Sequence, residues 1–508
     1  MLTKPIIIGD FGRGMQISPY GGFPQMRGLD PFRISGALAI ERAPDNGSGV
    51  TFSGLPKWTT FDTDGDAYII TSDGKLYFSS NMTTWEQMTG NPAGCNGGGL
   101  VVWNEYVLLS RVSGTDVIVD CTPVVNAGGA VSFSSITFTG LNTSGNIATP
   151  MFVASNRKVF IGGGNKVLSL EEVSGQTFDP SNGATYTASI SSTYDLKLPD
   201  DSSVSCFSEL GDKLEIGTVY GSSVASSKKA EVFPWDMGTT SSFGLPIRLN
   251  EEGVNALIVS NNLLYISAGR GGRIYVSNGA SAALSATVPI DFKAKAGGTG
   301  ASACNLRVYP DALEFQGNEM LVGISQGSDA SKQDNPIGVF SFVGSIARFL
   351  GNTSDAKDGS DGTVVEIGTI YSVSPTELLV GWRSGSNYGI DYFSPANSVI
   401  ASYGAFCDTE IFTLGSNRNP AAPEFYDFYL AKPLVSGDGI RLQYRVSNTG
   451  SWTTLATMDY ATMCPNATET VNTWSFRYSI KDIRTIQFRV LLTGTSTTTP
   501  ELRAIIVS

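Results

Sequence analysis

Seven times along this chain a short polar turn leads into a β-run, crosses a Gly-centred turn and enters a second β-run. The first copy reads Gly65-Asp66-Ala67-Tyr68-Ile69-Ile70-Thr71-Ser72-Asp73-Gly74-Lys75-Leu76-Tyr77-Phe78. The residue after each polar turn gives the anchors Tyr68, Tyr106, Val159, Leu214, Leu264, Met320 and Leu378. They are spaced roughly forty to sixty residues apart, the period of propeller blades. A lone hairpin cannot bury both of its faces, so each copy must stack on its neighbours to make a core. The fold class expected is therefore all-β: a seven-bladed β-propeller over residues 55–404, in which the paired runs are the two middle strands of each blade. Helix-periodic stretches of any length are hard to find, so very little helix is expected.

Composition narrows the function classes. The chain has 508 residues, a net charge of −12 and no histidine. Net negative charge repels a phosphate backbone and disfavours nucleic-acid binding. The absence of histidine removes His-based triads, His acid–base chemistry and the usual His-rich metal sites. Cys95, Cys121, Cys206, Cys304, Cys407 and Cys464 show no C-x-x-C spacing and read as free thiols made in a reducing cytoplasm. The run Ile6-Ile7-Ile8 is too short for a signal core, and no run approaches a membrane span, so a cytoplasmically made protein without membrane integration is expected.

The flanks of the repeat differ from it. Residues 1–54 are interrupted by Pro5, Pro19, Pro24, Pro31 and Pro44 and read as an extended arm. That arm is too apolar for a disordered tail, and it needs a surface, on its own propeller or on a neighbour. Its expected anchors are Ile6, Ile7, Ile8, Phe11, Phe23, Leu29 and Phe32. Residues 405–508 alternate apolar and polar positions, as in Ile440-Arg441-Leu442-Gln443-Tyr444-Arg445-Val446 and Thr485-Ile486-Gln487-Phe488-Arg489-Val490-Leu491, and predict a C-terminal β-sandwich.

Local constellations that could carry chemistry are weak. Asp62, Asp64 and Asp66 open like a calcium loop, but the sixth position is Ala67 and a strand follows, so a polar turn is preferred. Asp355, Asp358 and Asp361 sit in a Gly-rich insert that does not match a calcium-binding repeat. Ser79-Ser80-Asn81-Met82-Thr83-Thr84-Trp85 resembles the Asp-box turn of sialidase-like propellers, with Asn81 in place of the acid; that box is a structural turn. Glycosidase chemistry needs two facing carboxylates, and nothing local pairs Asp236, Glu251, Glu252, Asp291, Glu314, Glu366 or Asp391. The tryptophans lie in or beside strands and read as core rather than as sugar-stacking platforms. No catalytic, cofactor or metal residue is assigned.

Two stretches carry a family resemblance: Ile8-Gly9-Asp10-Phe11-Gly12-Arg13-Gly14 with Gly22-Phe23-Pro24-Gln25-Met26-Arg27-Gly28-Leu29-Asp30, and Phe488-Arg489-Val490-Leu491-Leu492-Thr493-Gly494 running on to Pro500-Glu501-Leu502-Arg503-Ala504-Ile505. With the arm–propeller–sandwich order, the chain resembles virion structural proteins of tailed bacteriophages, of the tail-nozzle or hub kind. The resemblance implies a non-enzymatic, tail-associated virion component without cofactor, made in the host bacterial cytoplasm. It would form a ring or cluster of copies and assemble on other virion proteins through the arm. Propeller and sandwich surfaces would face partners or host. The competing classes are a receptor- or glycan-binding module and a glycan-cleaving propeller enzyme.

Overall fold

The computed structural model describes residues 6–9, 11, 25–27, 29–34, 37–40, 43–125, 127–140, 149–188, 195–220, 230–238, 242–288, 306–326, 337–344, 346–351, 364–397, 405–414, 423–446, 450–463, 472–480, 483–495 and 498–508. The architecture is all-β and propeller-like, with a single helical turn, Tyr460–Met463, as the only α-helix among the described residues.

Among the described residues, seven antiparallel sheets of four or five strands follow each other along the chain. Their first strands are Pro56–Phe61, Gly99–Trp103, Met151–Val153, Ser202–Leu210, Val254–Ser260, Leu306–Arg307 (with Leu313–Gln316 beside it) and Val365–Ser374. We number the sheets 1 to 7 in that order. The two runs of each sequence repeat are the middle strands, as Ala67–Thr71 and Leu76–Ser79 are in sheet 1. Two of the polar turns before them are two-residue hairpins with both residues at positive φ: Asn104 and Glu105 at 48° and 62°, Asn261 and Asn262 at 52° and 59°. That geometry matches the strand twist, and Asn tolerates it, which is why the grammar survives while the letters change.

Each sheet packs on the next. Pro56–Phe61 meets both Gly99–Trp103 and Val365–Ser374, so the last sheet returns to the first and the series closes. Middle strands such as Ala67–Thr71 and Val159–Gly163 are buried along their whole length because sheets cover both faces. A row of small residues on the second strands admits the following sheet. A β-carbon on Gly162, Gly217 or Gly323 would fall within 2.9 Å of Val204, 2.7 Å of Val254 and 2.5 Å of Ile367 respectively.

The terminal regions correct the sequence reading. The described residues of the 1–54 segment take the first of the two surfaces expected for it, this chain's own sheets, and form strands there rather than an extended arm. Ile6–Ile8 pairs with Leu502–Val507, Gln25–Arg27 pairs with Ala405–Asp408, and Ala37–Ile40 joins Leu502–Val507 and Leu29–Ile34. Two six-stranded sheets thus contain strands from both ends of the chain, and they share one apolar core with sheets 6 and 7. Asp45–Asn46 then supplies the fourth strand of sheet 7, and Ser48 bridges to Thr84 at the outer edge of sheet 1. The physical reason is that an extended, apolar, Pro-interrupted segment satisfies its backbone at any open sheet edge, and its own chain offers several. Of the expected anchors, Ile6, Ile8, Phe11 and Leu29 are buried in this chain's own core, whereas Ile7 points to solvent. Phe32 lies in the strand Leu29–Ile34, and Phe23 falls outside the described residues.

Candidate functional site

Charged residues are sparse in the first strands of the sheets, which makes the exceptions informative. Sheet 1 begins Pro56-Lys57-Trp58-Thr59, sheet 6 runs Leu306-Arg307-Val308-Tyr309-Pro310-Asp311, and sheet 7 begins Val365-Glu366-Ile367-Gly368. Sheets 6, 7 and 1 are consecutive around the closed series, so these charges meet at one seam.

One end of the seam carries two buried carboxyl groups, Asp311 and Glu314. Asp311 Oδ2 accepts from the Thr59 backbone N–H at 2.9 Å and from the Thr369 hydroxyl, and the Thr59 and Thr369 hydroxyls lie 2.8 Å apart. The Ile370 N–H donates to the Asp311 carbonyl at 2.7 Å. Asp311 therefore ties sheet 6 to sheets 7 and 1 at once. Burial pushes its carboxyl up to about 8 against the pull of those two donors, and the nearby Glu314 adds to the rise. Glu314 is itself pushed up to about 7 by burial. This pair holds protons near neutrality, with the Tyr371 ring stacked on Phe61 at 4.1 Å close by.

The other end is cationic. Tyr309 OH donates to Glu366 Oε1 at 2.8 Å, and Arg383 Nη1 donates to Glu366 Oε2 at 2.8 Å. The Arg307 guanidinium stacks over the Tyr309 ring at 4.4 Å. Lys57 occupies a β-bulge between Pro56 and Trp58, an irregularity that re-aims a side chain. Burial, followed by repulsion from Arg307, lowers Lys57 to about 8, only partly offset by Glu366. Perturbed groups gathered in one place are the usual mark of a site, although structural networks perturb them too.

The sequence candidates fall elsewhere or alone. Asp62 Oδ1 accepts from the N–H groups of Asp64 and Asp66 at 3.0 and 2.9 Å, so the acid closes its own turn. Among the described residues no group of three or more acidic, Cys or His side chains is arranged to hold a metal ion. Asp355, Asp358 and Asp361 lie outside the described residues, as do Asp291, Cys304 and Cys464. Cys95, Cys121, Cys206 and Cys407 are free thiols. Asn81 Oδ1 accepts from the N–H groups of Thr83 and Thr84 at 3.0 and 2.7 Å and stands in for the Asp-box acid, over a fully buried Trp85. Glu251 is bound by Arg273 and Tyr275, and Asp391 by Trp382 Nε1. Of the acids read from sequence, Glu314 and Glu366 alone lie in the seam. Lys57, Arg307, Tyr309 and Asp311 were missed, because Thr59 and Asp311 are 252 residues apart. The charge in an otherwise apolar first strand was the available signal.

Glu215, in Lys213–Tyr220 of sheet 4, is a separate case. It is fully buried, and neither carboxylate oxygen has a hydrogen-bond partner. Burial pushes it up to about 7. A raised carboxyl binds its proton more tightly folded than unfolded, so stability is greatest below about pH 4 and falls as pH rises to about 7. Glu215→Leu is expected to raise the melting temperature at pH 8, by on the order of 3 kcal/mol in stability from the linkage, with little change at pH 4. Equal melting temperatures for variant and parent at both pH values would contradict the assignment.

No family model matches the chain, and no curated protein matches it. Among solved structures it is similar to the Cps50 (Swd1) β-propeller domain of Myceliophteria thermophila, at 12% identity over 68% of this chain and 99% of that one, with a TM-score of 0.43. It is similar to YCF48 bound to a D1 peptide, at 12% identity over 73% and 99%, TM-score 0.42. It is also similar to the PQQ-bound aldose sugar dehydrogenase of Streptomyces coelicolor, at 12% identity over 57% and 95%, TM-score 0.35. The phage resemblance stands on the residues quoted for it alone. No helix among the described residues is long and apolar enough to cross a membrane.

Proposed function

We propose that this protein is a non-enzymatic structural component of a tailed-phage virion, whose seven sheets are the blades of one propeller and whose two six-stranded sheets form a β-sandwich. The blade reading is supported by the closed order of first strands, and the sandwich reading by the apolar core that the two sheets share. The observation that carries the contact role is a fixed cationic–aromatic face on the six-stranded sheet that contains Gln25–Arg27 and Ala405–Asp408. Arg489 is held by both oxygens of Asp408 at 2.6 and 2.8 Å and stacks over Phe406 at 4.1 Å and over Trp452 at 4.4 Å. Arg445 covers the same Trp452 at 4.4 Å while donating to Gln487 at 2.7 Å. Arg and Trp held in place at low entropic cost are the residue types that dominate interface energies. On a chain of net charge −12, such a face complements the acidic surface of another copy or of a neighbouring virion protein. The assembly surface proposed is thus this face and not the N-terminal segment.

Sedimentation of the purified protein is expected to show a ring or cluster of copies that Arg445→Glu combined with Trp452→Ala converts to monomers. Unchanged sedimentation of that variant would sink the role given to the face. Mass spectrometry of purified particles should recover the chain in a fixed ratio to tail proteins. Recovery only from the particle-free lysate would remove the virion assignment.

A further inference from the structure

Among the described residues, two cations in the seam between sheets 6, 7 and 1 have no carboxylate bonded to them. Among the described residues, no hydrogen bond or ion pair is made by the Lys57 ammonium, and Arg307 makes only its stacking contact with Tyr309. Elsewhere the internal cations are matched one to one: Arg111 with Asp120, Arg348 with Glu319, Arg489 with Asp408. In the seam three cations, Lys57, Arg307 and Arg383, converge on one carboxylate, Glu366, whose two oxygens are already taken by Tyr309 and Arg383. The local excess is two positive charges on a protein of net charge −12.

A cation partly withdrawn from water without a counter-charge is costly, as Lys57 is here. Its place in the bulge of a first strand, beside Arg307, leaves room for a counter-ion that comes from outside. Geometry selects the kind. Arg307 is exposed, with its plane fixed by the Tyr309 ring, so its N–H edge is presented for bidentate contact with an oxyanion. Lys57 is half-buried, a point charge on a flexible stem that supplies attraction without geometric demand. Arg383, fixed by Glu366 and by the Gly385 carbonyl at 2.8 Å, closes the cationic side.

We propose that Lys57 and Arg307, backed by Arg383 and Tyr309, form a binding site for a small oxyanion, a carboxylate or a phosphate, at the seam of sheets 6, 7 and 1. The site is independent of the terminal-sheet contact face, and it requires no chemistry on the ligand. A ligand there would bridge three sheets at the point where the closed series joins its end to its beginning.

Calorimetric titration of the full chain with inorganic phosphate, and separately with glucuronate, tests this. Saturable binding of at least one is expected at low salt and pH 6.5. Lys57→Met and Arg307→Ala should each weaken it tenfold or more. Lys57→Met should keep or raise the melting temperature, because it removes an unpaired charge. Arg307→Ala changes an exposed side chain, so it remains informative if the first variant folds poorly. Binding of phosphate alone assigns the phosphate class, and binding of glucuronate alone the carboxylate class. No saturable binding of either probe overturns the proposal, and so does binding that both variants retain.

Discussion

Deleting residues 1–48 is expected to leave a protein that does not fold, rather than a folded body lacking an arm. Among the described residues the deletion removes the strands Ile6–Ile8, Gln25–Arg27, Leu29–Ile34, Ala37–Ile40 and Asp45–Asn46. It opens edges in both terminal sheets and strips the outer strand from sheet 7. Ile6, Ile8, Phe11, Leu29 and Leu38 leave a core that they now fill. Burial of side chains of this size contributes about 1.5–3 kcal/mol each, together on the order of 10 kcal/mol. That matches the whole stability of an ordinary domain, roughly 5–15 kcal/mol. Loss of soluble expression, or of cooperative thermal unfolding and near-ultraviolet dichroism, is the expected result. A soluble deletion protein that unfolds cooperatively near the parental temperature would contradict it.

The second large effect is expected from one atom. Gly368 sits where the bulged first strand of sheet 7 crosses that of sheet 1, and a β-carbon there would overlap the Pro56 carbonyl oxygen. The overlapping atom belongs to the backbone, so no side-chain movement can relieve the clash. Gly368→Ala is therefore expected to part the two first strands and disturb the Asp311–Thr59–Thr369 contacts beside them. Its cost should reach about 3 kcal/mol or more, within the range for core overpacking. Gly183→Ala is the matched control, because nothing lies within 4 Å of the added atom and its φ is ordinary. Its effect should stay within about 0.5 kcal/mol. Equal denaturant midpoints for the two variants would show that the junction tolerates displacement.

The seam shows why the site was less legible than the strands. Lys57 and Glu366 stand out in their own segments only as charges in first strands, and none of Lys57, Asp311 and Glu366 is part of a motif. They meet because the ring of sheets brings its sixth, seventh and first members together, which no local pattern encodes. The turn Ser79-Ser80-Asn81 illustrates the opposite case. Its hydrogen bonds run between residues two to five apart, so its structural role was readable from spacing. The terminal segment fell between these cases. Its apolar residues announced that it needed a surface, but Ile6 pairs with Val507 and Asp45 with Tyr392 through backbone groups common to all residues.

What the sequence by itself determined is the all-β character and the repeated hairpin, because side-chain alternation and positive-φ turns are local properties of the chain. Only the tertiary structure decided where the N-terminal strands belong and which charges share a seam. Strand pairing uses the same N–H and C=O groups at every edge, so an edge strand's partner is chosen by what remains open once the rest has packed. Ring closure then sets which distant charges become neighbours.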